Sequence, residues 1–384
     1  MSAVGVGPVR ESVRDTVAFL DLSGTTEVVR DEVLAAWNDL LDDNAFIGGE
    51  AVTRFEEAWA TYCGTQHAVG VANGTDALHL AMRALGIGPG DEVVVPANTF
   101  VATAEAVVLA GARPRFADVS PDTLLLTPET LAAAVTPATK AVAVVHLYGQ
   151  MPDMDALSVM AAQLGLLVIE DMAQAQGASW RGRRAGGFGD VGCSSFYPGK
   201  NLGAFGDAGA VVTDDDVVAQ TLRALRDHGR VGAGHYQHAM LGTNSRLDAV
   251  QAVVLAAKLR HLEEWNARRR DLVAVYRELL DPAVARLVGE LDGSRGVYHL
   301  AVARLDDRDR VRSELAAAGV GTGIHYPTPC HLMEPYRGLA DRPLPVAESA
   351  AEELLSLPLS PLMRVEDCAR VADLVNVVAR RGYR

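Results

Sequence analysis

Through most of the first 250 residues, unbroken apolar runs alternate with stretches of helical texture. Glu92–Pro96 (EVVVP), Ala141–Leu147 (AVAVVHL) and Leu166–Glu170 (LLVIE) have the length of strands. Their lack of apolar/polar alternation is what a strand covered on both faces requires. Between them, Thr75–Leu85, Thr99–Ala110, Pro128–Val135 and Asp153–Leu164 read as helices, with N-terminal signals at Pro128-Glu129 and at Asp153. This repetition predicts an α/β fold with a mostly parallel sheet. After Leu247 the texture changes. LDAVQAVVLAAKLRHLEEWNARRRDLVAVYRELL reads as one long helix, expected to lead from the large domain into a smaller C-terminal α+β domain. The predicted organisation is a loose tail over 1–18, a large domain over 19–257 and a small domain over 258–384.

Composition narrows the class. The 384 residues are 49% apolar and 22% charged, which excludes disorder for the bulk of the chain. With 35 basic and 49 acidic side chains the net charge is −14, a field that disfavours nucleic acid and anionic membranes. No apolar run reaches the roughly 18–20 residues needed to span a bilayer, and the start lacks a signal-peptide core. Cys63, Cys193, Cys330 and Cys368 lie far apart, and the ten histidines show no metal spacing. The expectation is a cytoplasmic, soluble enzyme that binds no metal.

Candidate chemistry sits just after predicted strands, where open α/β sheets bind ligands. The NGTDAL turn puts Gly74, Thr75 and Asp76 at a helix start whose free N–H groups suit a phosphate. Read alone, it is equally a turn with an N-cap. In EDMAQ, Asp171 needs a partner if buried, such as a metal, a base or a protonated ring nitrogen, unless it caps a helix. The third feature is SSFYPGKNLG, which carries Lys200 in a Gly/Pro loop. Lysine occurs only at 140, 200 and 258, arginine supplying the other basic charges. A lysine here invites a chemical reason that arginine cannot meet, and Schiff-base formation is one. A phosphate cradle, a strand-end Asp and a Schiff-base Lys, in that order, are what pyridoxal phosphate requires.

These segments, read in order, resemble the DegT/StrS-type nucleotide-sugar aminotransferases, which are fold-type I pyridoxal phosphate enzymes. The likeness runs through GTDALHLAMRALGIGPGDEVVVPANTFVATAEAV, VHLYGQMPDMDAL, EDMAQAQGA, SFYPGKNLGAFGDAGAVVT, GTNSRLDAVQA and IHYPTPCH, from about Phe19 to the C-terminus. It implies that Lys200 forms the Schiff base and shuttles the proton, and that Asp171 pairs with the pyridine nitrogen. Gln174 would approach the phenolic oxygen, Ser195 would join Gly74, Thr75 and Asp76 on the phosphate, and Phe100 would stack on the ring. Asn244 would reach the phosphate of a neighbouring subunit, making the active unit a homodimer with shared sites. His325 and Tyr326 would help form the substrate pocket. Gln176 stands where many members carry histidine, which bears on substrate contacts only. Related dehydratases replace the lysine by histidine, so Lys200 favours transamination.

The implied reaction moves an amino group from glutamate, through pyridoxamine phosphate, to a nucleotide-linked keto-deoxysugar. The expected acceptor is dTDP-4-keto-6-deoxyglucose, giving dTDP-4-amino-4,6-dideoxyglucose in a deoxyaminosugar route of antibiotic biosynthesis. A 3-keto isomer, a cyclitol ketone and a non-catalytic binder are the alternatives. His146 reads as a satisfied strand-end histidine. The Arg268-Arg269-Arg270 run reads as a solvated face or an attraction for a nucleotide diphosphate.

Overall fold

The computed structural model describes residues 16–232, 236–340 and 342–381. Strands β1 (His67–Val71), β2 (Glu92–Pro96), β3 (Arg113–Ala117), β4 (Thr139–Val145), β5 (Leu167–Asp171), the two-residue β6 (Ser179–Trp180) and β7 (Arg183–Arg184), β8 (Val191–Ser195) and β9 (Gly209–Thr213) occupy the first half. Seven of them form one sheet in the order β1-β9-β8-β5-β4-β2-β3. Only β9 runs against its neighbours, so the sheet is mostly parallel, as the unbroken apolar runs require. Side chains along each strand alternate between two cores. Val94, Val142, Val144 and Val168 enter one; Val93, Val95, Ala143 and Ile169 enter the other.

The helices that cover the sheet are α1 (Ser23–Asp43), α2 (Gly49–Cys63), α3 (Gly74–Ala84), α4 (Val101–Leu109), α5 (Pro128–Ala134), α6 (Met154–Leu164), α7 (Asp216–Leu225) and α8 (Ala249–Leu259). Asp153 caps α6 by accepting the Ala156 amide at 2.9 Å, as its position before the run predicts.

The expected long helix is instead two. After α8 the chain turns at Arg260–His261, with the His261 amide on the Lys258 carbonyl, before α9 (Leu262–Leu279) begins. The turn lets one helix serve each core. Ala252 and Leu255 of α8 pack under the sheet, whereas Leu272, Val273 and Tyr276 of α9 join the C-terminal cluster. That cluster lies among β10 (Arg286–Leu287), β12 (Ala301–Arg304) and β13 (Leu354–Leu357), with α10 (Arg308–Ala317) and α12 (Val365–Arg380) alongside, while α11 (Pro345–Glu353) packs on β12 outside the cluster. The short β11 (Ser294–Arg295) pairs with β6. Residues 1–15 of the expected tail lie outside the described residues. Its last residues do not behave as a tail, because Val17 is buried in the C-terminal cluster and bridges Val320.

The arginine run is not a solvated face. Arg269 turns inward and donates to the carbonyls of Tyr298 at 3.3 Å and Leu359 at 3.4 Å. Burial lowers its pKa to about 10. All four cysteines are free and buried.

Candidate active site

The carboxyl ends of the parallel strands open onto a cavity of about 720 Å³. Asn73–Asp76 follow β1, Thr99 and Phe100 follow β2, Asp171 ends β5, and Ser195 ends β8 with the Lys200 loop beyond it. His299, His325 and Tyr326 close it from the C-terminal region. Every site residue expected above lines this cavity except Gln176 and Asn244, of which Asn244 is exposed elsewhere and bridges Asp227.

At the cradle, both readings of NGT hold together. Asn73 caps α3 through Oδ1, which accepts the Asp76 amide at 2.8 Å. The first-turn amides of Gly74 and Thr75 have no partner within the helix by construction. Gly74 is required for space: a Cβ there would come within 2.5 Å of the Ser195 Cβ. The Asp76 carboxylate is held by Ser245 Oγ at 2.7 Å and by Asn73 Nδ2 at 3.2 Å.

Asp171 does not cap a helix, because a turn follows β5. Its Oδ2 accepts from Thr103 Oγ1 at 2.8 Å, and Thr103 meets Thr99 Oγ1 at 2.9 Å. Among the described residues Oδ1 takes only the Ala173 amide, at 3.2 Å. A carboxylate has about four lone-pair positions, so capacity is left on the cavity side. Gln174 is fixed by the Tyr148 amide on Oε1 at 2.7 Å and by its own donation to Tyr326 Oη at 3.0 Å. Phe100 is 52% exposed, so it is a cavity wall and not a core aromatic, and its ring tilts toward Tyr326 at 5.7 Å.

Burial lowers the Lys200 pKa to about 8, against the pull of Asp171, which favours the charged amine. About a tenth of this amine is therefore free base at pH 7, far more than for an ordinary lysine, and this is the form that attacks an aldehyde. Gly203 closes the loop because any side chain there would collide with the Pro198 carbonyl. Burial, with Lys200 nearby, lowers His325 to about 4, and its Nδ1 lies 2.8 Å from Ser356 Oγ. Burial raises the Tyr326 phenol well above its ordinary value.

The arrangement fits pyridoxal phosphate: a donor-lined cradle, a carboxylate with free lone pairs and a deprotonatable amine share one cavity. The model of the DegT/DnrJ/EryC1/StrS aminotransferase family matches residues 28–376. The chain belongs to this family. It is 47% identical to the dTDP-3-amino-3,4,6-trideoxy-alpha-D-glucose transaminase of Streptomyces venezuelae, over 95% of this chain and 97% of that one. It is 45% identical to the UDP-N-acetyl-3-dehydro-alpha-D-glucosamine 3-aminotransferase of Acidithiobacillus ferrooxidans, over 94% and 97%. Among solved structures, DesV of S. venezuelae in complex with a ketimine intermediate superposes with a TM-score of 0.92 at 46% identity, covering 95% of this chain and 99% of that one. NtdA of Bacillus subtilis with bound pyridoxamine phosphate gives 0.90 at 30% identity, covering 97% and 87%. This DegT/StrS-family chain is accordingly a sugar aminotransferase that works with pyridoxal 5'-phosphate and its pyridoxamine form.

Some expectations about this family member need correction. Gln176 is fully buried and absent from the cavity lining, so it touches no substrate there; it donates to the Ser195 carbonyl at 2.7 Å and braces the cradle strand. His146 is half-satisfied: Nε2 meets Glu170 at 2.8 Å, while the buried Nδ1 has no partner among the described residues. The sequence reading missed Thr103 and His299. Thr99 and Thr103 were findable, as hydroxyls four apart at the start of an otherwise Ala/Val-rich helix. Nothing in VYHL marks His299.

Proposed function

We propose that this enzyme transfers the amino group of glutamate to a nucleotide-linked 3-keto-6-deoxyhexose, working as a homodimer. The observation that carries the chemistry is the convergence of Lys200, Asp171 and the Gly74/Ser195 cradle on one cavity. The choice of carbon 3 is supported by the names of the two relatives above, both of which concern an amine at that position. A 4-keto acceptor, the expectation from sequence alone, stays as the second reading.

When bound, the cofactor supplies an electron sink that carries the amino group between donor and acceptor. The protein does the rest. Gly74, Thr75 and Ser195 hold the phosphate end. Asp171, oriented by Thr103, keeps a proton at the far end of the ring through a charge-assisted hydrogen bond. Phe100 covers the ring face. The Lys200 Nζ takes a proton from the glutamate carbon in the first half-reaction and returns one to the sugar carbon in the second. Asn244, on the outer surface of its own subunit, would complete the cradle of the partner.

Purified enzyme with pyridoxal phosphate and glutamate is to be offered the dTDP-linked 3-keto and 4-keto 6-deoxyhexoses in parallel, with products read by mass and NMR. An amine at carbon 3 supports the proposal. An amine at carbon 4 alone replaces it with the second reading, and amination of neither overturns both.

A further inference from the structure

We infer that His299 is a substrate-binding residue: its Nε2, kept as a bare lone pair by a buried chain of amides, accepts a hydrogen bond from a hydroxyl of the sugar. This rests on the acceptor being a sugar, as proposed above.

The direction of the chain can be read from its carbonyls. Asn201 Nδ2 lies 2.9 Å from the Val297 carbonyl oxygen and 2.8 Å from Asn266 Oδ1. A backbone carbonyl only accepts, so this end of the Asn201 amide is its NH₂ and the other end, Oδ1, is an acceptor. Asn266 is fixed in the same way, its Nδ2 donating to the Gln176 carbonyl at 2.8 Å. Gln176 in turn donates to the Ser195 carbonyl, so the chain starts at the cradle strand. At its other end Asn201 Oδ1 lies 3.3 Å from His299 Nδ1. An acceptor is satisfied only by an N–H, so the ring proton sits on Nδ1.

A second proton does not join it. Burial, with Lys200, Arg269 and His325 as charged or chargeable neighbours, holds the His299 pKa well below its ordinary value. Nε2 is then an unprotonated acceptor. Among the described residues nothing is hydrogen-bonded to it, although the ring lines the same cavity as Lys200. The chemistry selects its partner from the two substrates. Glutamate presents carboxylates, which are acceptors and are repelled by a lone pair, and its one donor, the α-amine, is the group that is transferred. A sugar presents hydroxyl donors.

Two measurements test this. Long-range ¹H–¹⁵N NMR on histidine-labelled enzyme, with His299 assigned by its loss in H299Q, should show a protonated Nδ1 and a bare Nε2 near neutral pH. The opposite tautomer or an imidazolium overturns the inference. The two half-reactions are then followed separately. In H299F the glutamate half-reaction should stay within about threefold of wild type, while the sugar half-reaction slows about tenfold or more, the loss of one hydrogen bond to a neutral group. H299Q, which can still accept, should recover part of that loss. Equal slowing of both halves, or no recovery in H299Q, overturns the inference. The tautomer is read without sugar. If it is as expected but the wild type aminates no keto sugar, the acceptor reading falls and takes the hydroxyl contact with it; the wrong tautomer sinks the hydroxyl contact alone.

Discussion

Glu170 and Asp171 are consecutive buried carboxylates on β5, and they spend their lone pairs in opposite ways. Successive strand residues point to opposite faces. Glu170 turns into the protein and accepts from the amides of Gly186 at 2.9 Å, Phe188 at 2.6 Å and Gly189 at 2.8 Å, besides His146 Nε2. Burial pushes its carboxyl up, but His146 and these amides outweigh it and hold the pKa below the ordinary range. Its capacity is used up. Asp171 turns to the cavity with one hydroxyl and one amide, and the remainder unspent. Lys258, buried, and Lys200, half-buried, repeat the contrast. Lys258 is tied to the Gly203 carbonyl at 2.8 Å and lies over the Phe205 ring. Among the described residues Lys200 has no such tie, only the attraction of Asp171. Buried charge with every partner supplied holds the fold; buried charge left short of partners is what a ligand can use.

The largest effect that would break this comparison lies at Lys200. K200A should lower transamination at least 10³-fold, since no other group in the cavity can replace a nucleophilic amine. Folding should be unharmed, because the lysine satisfies no protein group. Loss of the glutamate half-reaction with a Tm near pH 7 that holds or rises, because the cost of charging a desolvated amine is gone, is the expected pair. A substantially retained rate would remove Lys200 from the mechanism.

Next come the paired amides. D171N should cost about 10²–10³ in rate, by removing the charge that keeps the ring nitrogen protonated, with little loss of stability. E170Q should do the reverse. One of its two oxygens, with both lone-pair positions in use, becomes an NH₂ facing a backbone amide, at a cost of about 1–3 kcal/mol in denaturant unfolding, with rate reduced far less than in D171N. If the two variants behave alike, the division between fold-holding and ligand-facing carboxylates is wrong.

The pH dependence sharpens the lysine half. Burial places both Lys200 and Lys258 at about 8, below the ordinary value of 10.5. Between those values the unfolded chain carries protons that the folded protein has shed, so stability without cofactor should rise with pH over that window. Below about pH 8 the full penalty of charging buried amines is felt. Replacing Lys200 by Met should flatten the rise, visible as a smaller change of Tm across the window. In D171N the Lys200 midpoint should move further down, because Asp171 is the group that raises it. An unchanged slope in the Met variant would place the Lys200 amine in a better-solvated site.

Much of this site was legible in the sequence, and the reason is local. Asp171 and Ser195 end strands of the mostly parallel sheet and the Gly74 turn and the Lys200 loop follow strands closely, and such a sheet brings its strand ends together whatever the helices do. What could not be read depends on contacts between distant segments. Asn201 meets Asn266 across 65 residues and His299 across 98, and no local pattern records either pairing. Arg269 looked like surface because charge runs usually are, yet the inner face of α9 falls on it. The break at Arg260–His261 carries no proline or glycine, since it is set by two cores that lie apart and not by the local chain. Glu170 and Asp171 stand side by side in EDMAQ, and only the partners tell them apart.

The smallest predicted effect probes how far orientation alone matters. Thr103 gives its hydroxyl proton to Asp171 and is itself met by Thr99, so it fixes the plane of the carboxylate without touching the ring that the carboxylate serves. Valine has nearly the same shape but no hydroxyl. T103V should therefore keep the packing of α4 and let the carboxylate turn about its own bond. One neutral-to-charged hydrogen bond contributes about 1.5–3 kcal/mol, but Asp171 keeps the Ala173 amide and can recruit water. The expected loss is about 3–20-fold in kcat, with the KM for glutamate unchanged and T103S close to wild type. A Thr103→Val enzyme as slow as D171N would mean that the hydroxyl controls the charge of Asp171 and not merely its direction, and the boundary between structural and ligand-facing partners would then run through α4.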